Sequence, residues 1–155
     1  MQQVAVLLHN IRSAHNVGAI FRTADAAGVE KVYLSGYTPR PIDRFGRVNK
    51  EIAKTALGAE TSLLWNYAPI PIPLIKKLKA EGFTIVGVEQ DPRSRDYHSF
   101  IADSTTLFIF GNEVRGLSKT LRDACDILLE IPMRGKKESL NVAVAAGIIL
   151  FSVCR

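Results

Sequence analysis

A chain of 155 residues with two cysteines, Cys125 and Cys154, is long enough to bury one core without a disulfide framework. The cysteines stand far apart, with no CxxC or Cys/His ligand spacing, which argues against zinc and for a reducing, cytoplasmic setting. With 20 Lys and Arg against 15 Asp and Glu, the formal charge of +5 favours a polyanionic partner.

In chain order, residues 4–8 form a short apolar run that predicts a first strand. It lacks the basic flank of a signal peptide and is too short to span a membrane. A helix is predicted over residues 17–27, with Val17, Ile20, Phe21, Ala24 and Ala27 as its buried stripe and Asn16 as its N-cap. Arg22 falls on another face, where its guanidinium is expected to lie over Gly18 toward Asn16. His9 and His15 have no partner at metal-ligand spacing and read as structural.

A second strand over residues 31–34 leads to a loop, 39–50, that concentrates Pro, Gly, Arg40, Arg44, Arg47 and Lys50. Together with Arg12, Arg22 and Lys54 it makes the first third of the chain basic. Such a loop is either a solvated surface or a contact for phosphate backbones. Further helices are predicted over roughly 50–57, 72–81, 118–124 and 140–154, and further strands over 84–88, 106–110 and 127–131. Alternating strands and helices imply an α/β fold, a mostly parallel sheet with helices on both faces.

The segment Gly111-Asn-Glu-Val-Arg-Gly-Leu-Ser118 has phosphate-loop spacing but carries Leu117 where the essential lysine belongs, which argues against a nucleotide triphosphatase. No GxGxxG fingerprint is present either. What remains is a strand end offering backbone donors and Glu113. Twenty residues on, the strand ending at Ile131-Pro-Met133 breaks into a basic loop, and Ser139 is expected to cap the last helix. Carboxyl ends of neighbouring strands are where open α/β sheets bind ligands, so these segments predict a pocket. The last helix has no charged face; the sheet can cover one side, and Ala143 and Gly147, one turn apart, would let a second copy pack closely on the other. A homodimer is therefore expected.

Asn16-x5-Arg22, Phe110-Gly-Asn-Glu-x-x-Gly-Leu-Ser118, Ile131-Pro-Met133 and Ser139-Leu-Asn-Val142 resemble, in order and spacing, the signature motifs of the SpoU/TrmH family. These are S-adenosylmethionine-dependent RNA ribose 2′-O-methyltransferases of the SPOUT class, and the resemblance covers nearly the whole chain. It implies a C-terminal trefoil knot, a dimer with its active site near the subunit boundary, and a cofactor pocket lined by Val88, Gly111, Ile131, Met133 and Leu140. It also implies a catalytic set of Asn16, Arg22, Glu113, Ser139 and Asn141. A guanidinium is a planar fork of donors with no acceptor, which makes Arg22 better suited to stabilising an incipient alkoxide and gripping a phosphate than to accepting a proton. Glu113 is expected beside Arg22 as its helper, Asn16 and Asn141 as positioning groups, and Ser139 as a hydroxyl near the reacting centre. RNA would be met by Arg12, Arg40, Arg44, Arg47 and Lys50. The expectation is one domain, 1–155, with no separate RNA-binding extension, no metal and no membrane. Its small size favours transfer RNA over ribosomal RNA. A SPOUT base methyltransferase and a non-catalytic RNA-binding module of the same fold are the alternatives.

Overall fold

The first strand explains why the sheet is covered on both sides. In β1 (Val4–His9), Val4, Val6 and Leu8 enter one apolar cluster while Ala5 and Leu7 enter another, because an extended chain sends alternate side chains to opposite faces. The strand Thr106–Phe110, which pairs with β1, repeats the pattern: Phe108 and Phe110 go to the first face, Leu107 and Ile109 to the second. The computed structural model describes residues 2–102 and 104–154.

Along the chain follow α1 (Ala14–Ala27), β2 (Lys31–Ser35), α2 (Lys50–Ala56), α3 (Ala59–Ser62), β3 (Leu64–Tyr67) and α4 (Pro71–Ala80). Then come β4 (Thr84–Val88), β5 (Arg95–Asp96), a 3-10 turn (Tyr97–Ser99), β6 (Thr106–Phe110), α5 (Lys119–Ala124), β7 (Ile127–Glu130) and α6 (Val142–Val153). The strands form one sheet in the order β3-β2-β1-β6-β4-β7-β5, and every ladder in it is parallel. Helices α1, α2 and α6 bury Ile20, Phe21, Ile52, Ile149 and Leu150 on the first face; α4 and α5 bury Ile75, Leu78 and Leu121 on the second.

Two strands escape the sequence pattern, both at sheet edges. β3 pairs only with β2 and leaves alternate residues exposed, Leu64 and Asn66, so it carries no continuous apolar run. β5 is two residues held by β7. The helix α3 is likewise too short to show a period.

The caps differ from the expectation. Ser13, not Asn16, caps α1: its hydroxyl accepts from the Asn16 amide at 3.1 Å, and the helix begins at Ala14. This frees the Asn16 side chain, inside the first turn and buried, for another use. Asn141, not Ser139, caps α6 by accepting from the amides of Ala143 at 2.8 Å and Val144 at 3.3 Å. A cap must immediately precede the first helical residue, which is Val142, so Ser139 is left exposed in the loop.

Helix α6 packs on the sheet through Ala146, Ile149, Leu150 and Val153. Gly147 faces Thr23 of α1, whose Cγ2 would stand 3.6 Å from an added Cβ, an ordinary contact distance, so packing within the chain does not require glycine at this position. Val144 and Phe151 remain open, 51% and 57% exposed.

Candidate active site

A cavity of about 320 Å3 opens at the carboxyl ends of β4, β6 and β7, closed on one side by the start of α6. Val88 ends β4, Gly111 follows β6, and Ile131 and Met133 follow β7, while Leu140 and Val142 come from the approach to α6. All five residues expected to line a cofactor pocket thus surround one space, with Glu113 and Ser139 beside them. Parallel strands that end together make this crevice, and the loops after them fill its rim.

Glu89 and Gln90, directly after β4, also line the cavity and were not anticipated. The Glu89 carboxylate accepts from the amides of Leu117 at 2.6 Å and Gln90 at 2.9 Å. Gly116 lies in the left-handed region at φ 63° with Glu89 where a Cβ would stand, and a Cβ on Gly111 would come within 2.6 Å of the Gly116 carbonyl. The two glycines are therefore required by a close approach of loop to loop. Gln90 Nε2 donates to the Glu138 carbonyl at 2.7 Å, holding the basic loop before α6 against the end of β4. The positional signal for this pair, polar residues just past a buried strand, is the same one that marked Gly111 and Glu113.

The turn itself is built by Asn112. Its Oδ1 accepts from the amides of Val114 at 2.9 Å and Arg115 at 2.8 Å, and its Nδ2 donates to the Asn10 carbonyl and to the Tyr37 hydroxyl, both at 3.0 Å. This points the next side chain, Glu113, at the start of α1. Glu113 Oε1 accepts from the Arg12 amide at 2.8 Å; Oε2 accepts from the Ser13 amide at 2.9 Å and from Asn16 Nδ2 at 3.1 Å. Asn16 Oδ1 in turn accepts from Asn141 Nδ2 at 3.2 Å. Partial burial pushes the Glu113 pKa up as the largest single effect, yet the amides of Arg12 and Ser13 and the Asn16 side chain outweigh it, leaving the pKa below the ordinary 4.5. Glu113 is thus an ionised anchor near neutral pH. The expected role as a partner of Arg22 does not hold within one chain.

Arg22 lies elsewhere. It is exposed and borders a recess on the outer side of α1 with Lys54, Leu57 and Phe151. The space over Gly18 is taken by α2, since a Cβ there would collide with Thr55 and with the Ile52 carbonyl at 2.4 Å, so Gly18 marks a close helix crossing and no path for Arg22 toward Asn16. Among the basic candidates, Arg12 sits beside the cavity rim, where its backbone N–H donates a hydrogen bond to Glu113. Arg40, Arg44 and Arg47 gather on the loop between β2 and α2, and Lys50 follows as the first residue of α2. Arg40 stacks on Tyr67, Arg44 and Arg47 lie against Phe45, and Arg47 also pairs with Asp43 at 2.8 Å. His9 is hydrogen-bonded to Ser35 Oγ at 2.8 Å and its pKa is lowered by burial, in keeping with a structural part.

Residues 3–151 match the SpoU rRNA Methylase family. The chain belongs to that family. It is 35% identical over 145 residues to the 23S rRNA (guanosine-2'-O-)-methyltransferase RlmB of Neisseria meningitidis serogroup B, covering 94% of this chain and 55% of the relative. It is 33% identical over 150 residues to a Staphylococcus haemolyticus protein assigned to the TrmH family of tRNA/rRNA methyltransferases, covering 97% of this chain and 57% of that one. The AdoMet-bound rRNA methyltransferase of Sinorhizobium meliloti superposes with a TM-score of 0.87 at 30% identity, over 97% of this chain and 55% of that chain. The SpoU methyltransferase AviRb of Streptomyces viridochromogenes in complex with AdoMet gives 0.86 at 28% identity, over 97% and 59%. The chain therefore spans a little over half the length of these relatives.

The SpoU signature segments fall into two places in this structure. The Gly111 to Ser118 turn, the Ile131 to Met133 loop and Ser139 to Val142 enclose the cavity, while Asn16 reaches it only through Glu113 and Asn141, and Arg22 faces away. Among the described residues no cluster of three His, Cys, Asp or Glu side chains could hold a metal, and no helix is long and apolar enough to cross a membrane.

Proposed function

We propose that this chain transfers a methyl group from S-adenosylmethionine to a ribose 2′-hydroxyl in RNA, acting as a homodimer in the cytoplasm. The observation that carries this reading is the hydrogen-bonded series Glu113, Asn16, Asn141 at the rim of a cavity on the strand ends that is lined by both apolar and acidic side chains. RlmB, its relative, is a guanosine 2′-O-methyltransferase of 23S rRNA, which supports ribose over base as the acceptor. The leaning toward transfer RNA rests on chain size alone.

The lining suits the cofactor. Apolar walls from Val88, Ile131 and Leu140 fit an adenine ring, and the carboxylates of Glu89, Glu113 and Glu130 favour a cationic ligand. When bound, the cofactor would supply an electrophilic methyl on a positively charged sulfur. The protein's part is to exclude water and hold the ribose. Ser139, exposed on the cavity wall, is placed to bond a ribose hydroxyl. Glu113 already accepts three hydrogen bonds, which makes it a positioning residue and a poor proton acceptor. Stabilising the developing alkoxide and gripping the neighbouring phosphate fall to Arg22, and the hydroxyl proton released as the O–CH3 bond forms passes to solvent water at the open cavity mouth.

Arg22 can do this only from a second copy. The open stripe of α6 runs from Val144, near the cavity, to Phe151, beside Arg22. A two-fold contact with antiparallel α6 helices sets the Phe151 end of one copy against the Val144 end of the other, bringing Arg22 of the second copy to the cavity mouth. The trefoil knot belongs to the same reading, supported by the strand order in which β4 lies between the later strands β6 and β7.

The test is nucleoside analysis of RNA incubated with the protein and methyl-labelled cofactor. Labelled 2′-O-methyl nucleoside is the expected product. A labelled base would move the activity to the base-modifying class, and absence of label with RNA still bound would leave a binding module.

A further inference from the structure

The loop after β2 and the approach to α2 enclose a second recess, of about 530 Å3, that the methyl-transfer reading leaves unused. Arg40 and Tyr37 line it. The Arg40 guanidinium lies 4.1 Å from the centre of the Tyr67 ring, and Tyr67 is fixed by its hydroxyl donating to the Gly36 carbonyl at 2.7 Å. Stacking on one face leaves a guanidinium's other face and its edge available to a planar ligand. Tyr37 is 60% exposed yet tied at both ends: its amide donates to Asn10 Oδ1 at 3.1 Å, and its hydroxyl accepts from Asn112 Nδ2 at 3.0 Å. Asn112 also lines the cavity, so Tyr37 stands between the two spaces. Arg47 and Asp43 both line the recess and are paired through Arg47 Nε at 2.8 Å, an ion pair that engages neither terminal nitrogen of the guanidinium.

We infer that this recess is a subsite for an unpaired nucleotide of the RNA strand, close to the nucleotide whose ribose enters the cavity. Its base stacks on Arg40 and Tyr37, and its phosphate meets Arg47. Phosphate contact alone would need only mobile charges, whereas here a half-buried planar cation and an exposed aromatic ring are both held at the recess. Single-stranded RNA is recognised by such aromatic and guanidinium planes. The inference rests on the RNA reading above.

The test uses the whole chain and two fluorescent single strands of about 12 nucleotides, within the ~4–16 that compact single-strand binders cover. One is oligoadenylate RNA; the other has the same backbone with the bases removed. The expected result is a preference for the base-bearing strand on the order of tenfold. Arg40→Lys and Tyr37→Ala should abolish that preference and Tyr37→Phe should keep it. Because Arg40→Lys preserves the charge, its affinity for the abasic strand and its salt dependence should stay those of the parent. Equal affinity of the parent for both strands, no binding of either, or a preference that survives Arg40→Lys overturns the subsite. So does displacement of the RNA by an acidic peptide as effectively as by unlabelled RNA. Labelled 2′-O-methyl nucleoside is scored separately, so failure of the subsite and failure of the methyl-transfer reading give different results.

Discussion

Asn141 Nδ2 donates to Asn16 Oδ1 at 3.2 Å, joining the start of the last helix to the first turn of the first helix. The direction of this bond is forced from both ends. Glu113 is an ionised acceptor, so Asn16 must turn its NH2 toward it; the amides of Ala143 and Val144 are donors, so Asn141 must turn its oxygen toward them. What is left over on each side chain, an oxygen on Asn16 and an NH2 on Asn141, then matches.

Replacing Asn16 should therefore cost more than one ordinary hydrogen bond. Asn16→Ala strips an acceptor from Asn141 and a donor from Glu113 in a buried position, a loss on the order of 1–3 kcal/mol. Asn16→Asp should lower the melting temperature further at neutral pH, because it sets a second carboxylate against Glu113. Thermal unfolding of both variants, with Asn141→Ala and the double variant as a cycle, checks this; simple additivity of Asn16→Ala and Asn141→Ala would mean that the two side chains do not act together.

The depressed pKa of Glu113 sets a sign for pH dependence. A carboxylate whose folded pKa lies below its ordinary 4.5 contributes stability that is fully present above that value and is lost as pH falls through the folded value. Glu113→Gln removes this contribution. The variant should melt below the parent at neutral pH, and the gap should close as the pH is taken below the ordinary 4.5 and through the folded value. Melting curves across that range decide it, and a gap that stays constant would show that the amides of Arg12 and Ser13 do not favour the charged form.

How much of this was legible in the residues depends on what each feature needs. The five central strands and the presence of a cavity at their ends were readable because buried parallel strands are continuous apolar runs and their carboxyl ends hold ligands, whereas the individual lining residues came from the resemblance to the SpoU/TrmH motifs. Edge strands β3 and β5 were not, since an edge has one neighbour and tolerates polar residues. Asn16 and Ser139 were given the wrong local jobs for one reason: several Ser and Asn residues compete near each helix start, and only the tertiary bonds to Glu113 and Asn141 show which one caps. Arg22 was misplaced because the helix period gives its face but not what already occupies that face, and Thr55 of α2 does.

Gly116 offers a test of how tightly the loops around the cavity are built. Alanine there meets both an unfavourable φ of 63° and the Glu89 carboxylate, so Glu89 must give up its bond to the Leu117 amide. Gly116→Ala should lower stability by at least ~1–2 kcal/mol from the backbone alone, and weaken S-adenosylmethionine binding because Glu89 and Gln90 line the cavity. Calorimetric titration with the cofactor reads the second effect. An unchanged affinity would place Glu89 outside the ligand's reach.

The separation of Arg22 from the cavity yields the most demanding prediction. Arg22→Ala should abolish methyl transfer while cofactor affinity stays within a few fold, since Arg22 does not border the cavity of its own chain. Gly111→Val should do the reverse, blocking the cavity while leaving Arg22 in place. If each site combines the cavity of one copy with Arg22 of the other, mixing the two inactive variants under exchange conditions creates one complete site in each mixed dimer. Random pairing should then restore about a quarter of the parent's activity. Phe151→Asp, placed on the open face of α6, should give a monomer by light scattering and prevent the recovery. If the mixture stays inactive although mixed dimers form, Arg22 must reach the cavity of its own chain by a rearrangement of α1, and the two-copy site is wrong.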